Sequence, residues 1–171
     1  MTLLAVLVLW SAAAAFVLFF VFVVLRLQRK RVLQAFPVPV PGLKARMNAE
    51  AFEPVVVRHA LERVVSLWKN TFSFDATKTL DMLKIEWVVG EDGERFYWLG
   101  DKRVAGHASL HYVSIAYLES DRLGQTAFFH EVAHVLHRAQ HGDSDNNHLE
   151  PGGPWTKDTE TLINRLKSEF A

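Results

Sequence analysis

The stretch AFFHEVAHVL, Ala127 to Leu136, sets His130, Glu131 and His134 inside an otherwise apolar run. Extended in both directions, the pattern predicts a helix from about 121 to 141. Asp121 is placed to cap its start, and Gly142 to stop its end. Ala127, Phe128, Phe129, Val132, Ala133, Val135, Leu136 and Ala139 cover nearly every direction around it, so the helix is expected to be buried. A buried imidazole or carboxylate is costly unless it is paired or bound to a metal.

One ion accounts for all three polar residues. His130 and His134 are four apart, which places them on one helix face one turn from each other. Two imidazoles so placed can reach one tetrahedral Zn²⁺ at about 2.0–2.1 Å. Glu131 is rotated off that line, where it can act on a water as a general base rather than bind the metal. Eight His and eleven Glu in 171 residues would give this pattern by chance about 0.02 times. The competing interpretation is a pair of hydrogen-bonded core histidines beside a glutamate that reaches solvent.

The surrounding chain supplies a small α+β domain. Pro54 suits a first helical turn, and Val57, Leu61, Val64 and Trp68 recur at helical spacing, so residues 54–70 read as an amphipathic helix. KIEWVVG (84–90) alternates as a strand, EDGE (91–94) turns, and RFYWL (95–99) reads as the hairpin partner. YVSIAY (112–117) is a third strand, and Trp155 to Phe170 a last helix. The expected sheet is small and antiparallel or mixed. No internal repeat is evident.

HEVAH (130–134) on a buried helix behind an edge-type strand resembles the zincins, metallopeptidases built around HExxH. With the downstream HGDSDNNH (141–148) and PGGPW (151–155), it is similar to small bacterial zincin-like metallopeptidases that pair HExxH with a Gly-Asp-x-Asp loop ending in His. The resemblance covers about residues 84–155. It implies His130 and His134 as zinc ligands and Glu131 as the catalytic base. It also implies a reduced zincin fold whose edge strand aligns an extended peptide over the metal.

A catalytic zinc keeps three protein ligands and leaves one position for water. The metzincin pattern would put the third His at position 140, which is Gln140, and a glycine at 137, which is His137. A ligand Glu on a following helix would be Glu160; the loop offers Asp143, Asp145, His148 and Glu150. A neutral imidazole is a good zinc ligand, and His148 is the favoured candidate, with Asp143 or Asp145 orienting its ring. His137 and His141 extend the His130–His134 face and are expected to meet solvent near the helix C-terminus, where a cation is favoured. Tyr112 or Tyr117 could donate to an oxyanion. Nothing singles out His59, His107 or His111.

The N-terminus has a different character. Leu3 to Leu25 carries no charge, with Ser11 its plainly polar member, and as a helix it would span about 35 Å. A cleaved signal peptide would need a basic start and a shorter apolar core ending in small residues. Here Ala12 to Ala15 fall mid-run. The expectation is therefore a single-pass transmembrane anchor. Arg26, Arg29, Lys30 and Arg31 follow, and by the positive-inside rule they place the domain on the cytoplasmic side of the cell membrane. The absence of cysteine fits a reducing compartment. FPVPVPG (36–42) reads as a stiff spacer. The expected organisation is an anchor with basic flank at 1–31, a linker at 32–47 and a catalytic domain at 48–171. Past the flank, 15 basic residues face 19 acidic ones with no basic patch among aromatics, which argues against a nucleic-acid partner.

These features predict a membrane-anchored zinc metallopeptidase acting on a peptide or protein substrate through a zinc-activated water. The alternative is a tethered zincin-fold module that binds metal or a partner and hydrolyses nothing. Glu131 favours the enzyme, because a purely structural metal site has no use for a base.

Overall fold

The computed structural model describes residues 3–143, 148 and 153–171. The chain divides into two compact units, 1–35 and 36–171. The first is one helix, α1 (Leu3–Ala35). Among the described residues no helix is long and apolar enough to cross a membrane, and this corrects the expectation of an N-terminal transmembrane helix. The helix does not stop where the uncharged run stops. It continues through Arg26, Arg29, Lys30 and Arg31. The side chains of residues 3–9, 11 and 12, which complete the uncharged run, lie outside those described.

The second unit is α+β with a mixed sheet. Its elements are β1 (Val38–Pro39), β2 (Arg46–Met47), α2 (Pro54–Phe72), α3 (Thr77–Asp81), β3 (Lys84–Val89), β4 (Tyr97–Leu99), β5 (Lys102–Val104), β6 (Gly106–Ser109), β7 (Tyr112–Tyr117), α4 (Phe128–His141) and α5 (Lys157–Glu169). The main sheet runs β1-β2-β3-β7-β6. Its centre is parallel: β2 pairs with β3, and β3 with β7, with Ile85 opposite Val113 and Trp87 opposite Ile115. Those four side chains are buried, and the ring of Phe128 on α4 lies 5.6 Å from that of Trp87. The two edges are antiparallel, β1 on β2 and β6 on β7.

Helix α2 buries Val57, Ala60, Leu61, Val64, Leu67 and Trp68, the face its periodicity marks. It ends at Ser73 in the left-handed region (φ 55°). Helix α5 starts at Thr156, whose hydroxyl accepts from the Thr159 amide, and buries Leu162, Ile163 and Leu166. The bidentate pair Arg63–Glu169, at 2.7 and 2.9 Å, ties α2 to α5.

Three elements depart from expectation. Part of the segment read as a spacer joins the sheet as β1 and β2, and the Arg46 guanidinium donates to the carbonyls of Phe36 and Pro37, both at 2.6 Å. Pro39 is tolerated there because β1 is an edge strand and can spare an N–H. The residues after the EDGE turn do not return to β3. Asp92 (φ 53°) and Gly93 (φ 73°) do turn the chain, but β4 pairs with β5 in a separate two-stranded ribbon. Both sides of β3 are already taken by β2 and β7. Lastly, α4 begins at Phe128 rather than near 121. Asp121 accepts instead from Arg95, at 2.8 and 2.6 Å, and from the Leu118 amide at 2.8 Å. Residues 123–125 form a 3-10 turn, in which Gly124 donates to the Phe170 carbonyl at 2.9 Å. A Cβ on Gly124 would lie 2.1 Å from the Lys167 carbonyl oxygen, so only glycine lets the chain's end pack there.

Candidate metal centre

Helix α4 carries the first two candidate ligands. It is buried along Phe128, Phe129, Val132, Ala133, Val135 and Leu136, and that packing fixes the direction of the face bearing His130 and His134. Their Nε2 atoms are 3.2 Å apart. Gly142 ends the helix in the left-handed region (φ 79°). His148 then brings its Nε2 to 3.0 Å from that of His134. The ligand atoms of His130, His134 and His148 all lie within 4.8 Å of one another.

Tetrahedral nitrogens at about 2.0–2.1 Å from one zinc lie about 3.3 Å apart. Two of the contacts already match that spacing, and the remaining one needs at most a shift of about 1.5 Å. The group could therefore hold a metal ion. His134 is buried and His130 half-buried. Burial first, and then the neighbouring His134, His148 and Lys167, push His130 down to about 4, so at neutral pH it is uncharged, as a ligand must be.

Glu131 follows His130 on α4 and is buried, and burial pushes its carboxyl up to about 7. Strand β6 lies directly against it. A Cβ on Gly106 would fall 2.6 Å from Glu131 Cγ and 2.8 Å from its Oε1. Glycine lets the two approach this closely, and a side chain there would force the carboxylate or the strand to shift.

Trp155, just before α5, covers the three rings. Its indole stacks on His148 with centroids 3.9 Å apart and planes at 11°. It also lies 4.6 Å from the His134 ring and 4.9 Å from that of His130. A cleft of about 170 Å³ opens beside the group, between His130, His148, Trp155 and the Glu160, Ile163, Asn164 and Lys167 face of α5.

The other sequence candidates fall elsewhere. Asp143 and Glu160 are exposed and are not members of the three-histidine group, although Glu160 lines the cleft. Asp145 and Glu150 lie outside the described residues. Gln140 accepts from the Trp68 indole N–H at 3.1 Å, so its position serves packing between α4 and α2. His137 does not meet solvent. It is fully buried, its Nε2 is 3.0 Å from Thr159 Oγ1, and its ring lies edge-on to Trp68 at 4.9 Å. Trp68 of α2 and Thr159 of α5 cover the His137 position, whereas His141, one turn on, is exposed. The Tyr112 hydroxyl is bonded to Glu86, and burial pushes it up to about 12; Tyr117 packs against Phe52 and Trp87. His59, His107 and His111 stand outside the group.

Gly106 and Trp155 are the site residues sequence reasoning missed. A lone glycine beside a strand is a known sign of close backbone approach, and it was available in AGHAS (105–109). No local signal pairs Trp155 with His148.

Comparison with protein-family models, with curated proteins and with solved structures finds no match to this chain.

Proposed function

We propose that the chain is a zinc metallopeptidase whose metal is held by His130, His134 and His148 and whose general base is Glu131. The observation that carries this is the convergence of three imidazole nitrogens at a helix that also buries the glutamate lying between two of them in sequence. Imidazole ligands suit zinc, and three protein ligands leave a position open. A zinc ion there would supply Lewis-acid chemistry, making water a nucleophile near neutral pH and polarising the scissile carbonyl.

The chain's own groups do the rest. Glu131 takes one proton from the attacking water as its oxygen bonds to the carbonyl carbon. It returns that proton to the amide nitrogen as the C–N bond breaks. Burial places the Glu131 carboxyl near 7, and a nearby dication would lower it and keep it ionised as a base requires. Strand β6 is an antiparallel edge beside α4, with Gly106 on the carboxylate, and an extended peptide could add to that edge. These features support the reduced zincin architecture that the HEVAH segment suggests.

The test is zinc-dependent cleavage. The full chain, incubated with a mixed peptide library, should cut peptide bonds. A zinc chelator should abolish cutting, and added Zn²⁺ should restore it. Cutting that persists in the metal-stripped protein would overturn the proposal.

A further inference from the structure

We infer that Trp155 is the positioning residue for His148, holding the third imidazole in place before any metal arrives; this rests on the three-histidine reading of the site. The backbone of His148 lies in the left-handed region (φ 54°). A non-glycine residue there is strained and persists only when its surroundings impose it. The face-to-face indole, 3.9 Å away and tilted by 11°, is the contact that fixes the ring plane. Rings so stacked cannot rotate about the imidazole axis without losing contact, so Nε2 stays directed at His134 Nε2, 3.0 Å away.

The indole is itself anchored to the ligand helix. Trp155 precedes Thr156, the N-cap of α5, whose hydroxyl accepts from the Thr159 amide. Thr159 is fully buried, and its hydroxyl lies 3.0 Å from His137 Nε2. His137 sits on α4 three residues after His134, and its ring is 5.4 Å from the indole. One helix thus carries two ligands and also locates the side chain that seats the third. This gives a use to His137 that ligation does not.

The experiment measures Zn²⁺ and Co²⁺ affinities at pH 7 by competition with a chromophoric chelator, on the full chain. Trp155→Ala should weaken binding by about 10–100-fold, the usual worth of a group that orients a ligand. Trp155→Phe, which keeps a stacking ring, should recover most of the loss. Trp155→Leu, which keeps apolar bulk without a ring, should behave as Ala does and covers the case in which the alanine variant folds poorly. In a His148→Ala background, Trp155→Ala should change affinity by less than about threefold, because its target is gone. An equal loss with and without His148, or full affinity in Trp155→Leu, would overturn the inference. If His148→Ala alone binds as wild type does, the three-histidine site itself fails, and the inference with it.

Discussion

Glu131→Gln should lower peptide cleavage by about 10²–10⁴-fold at equal zinc occupancy, the usual worth of a positioned acid–base group. Glutamine keeps the side-chain volume, so the close packing of Gly106 on position 131 survives. It also leaves His130 and His134 untouched, so zinc affinity should change by less than about threefold. The amide cannot accept the proton of the attacking water, which isolates the chemical step from binding. Cleavage by the variant at the wild-type rate would remove Glu131 from the mechanism. A zinc-replete wild type that cuts nothing in the library would shift weight to a module that holds metal without hydrolysis.

His134→Ala should have the largest effect on the metal. His134 is the centre of the group, with its Nε2 3.2 Å from that of His130 and 3.0 Å from that of His148. Without it two imidazoles remain, and a two-ligand site holds zinc poorly. The affinity should fall by more than about 100-fold, beyond the loss expected from removing an orienting partner. Circular dichroism of metal-free wild type and variant guards against a folding loss, since His134 is buried among core residues. Stoichiometric zinc in a His130→Ala/His134→Ala double variant would show that the metal lies elsewhere.

Features set by local periodicity were legible. The helix repeat of Val57, Leu61, Val64 and Trp68, the alternation of Ile85 and Trp87, and Gly142 as a helix stop can all be read within a few residues of chain. So can the one-turn spacing of His130 and His134. Features set by distant partners were not. β3 alternates as either a parallel or an antiparallel strand would, and its parallel pairing joins it to β7, far along the sequence. β6 reads GHAS, too short and too small to alternate visibly, and it becomes a strand by pairing with β7. Asp121 has a capper's chemistry, but a bidentate arginine 26 residues back claims it. His137 follows the same stripe as two candidate ligands, and its burial comes from Trp68 and Thr159 on two other helices. The uncharged run at the N-terminus read as a span, yet the helix that contains it runs on through four cations.

The central claim is that three histidines and one water surround the metal. X-ray absorption at the zinc edge of the loaded full chain, together with that of His148→Ala, tests it most directly. Three imidazole nitrogens at about 2.0–2.1 Å and one oxygen are expected, with one imidazole lost in His148→Ala. A wild-type zinc with four protein ligands and no oxygen, or an unchanged imidazole count in the variant, would contradict it.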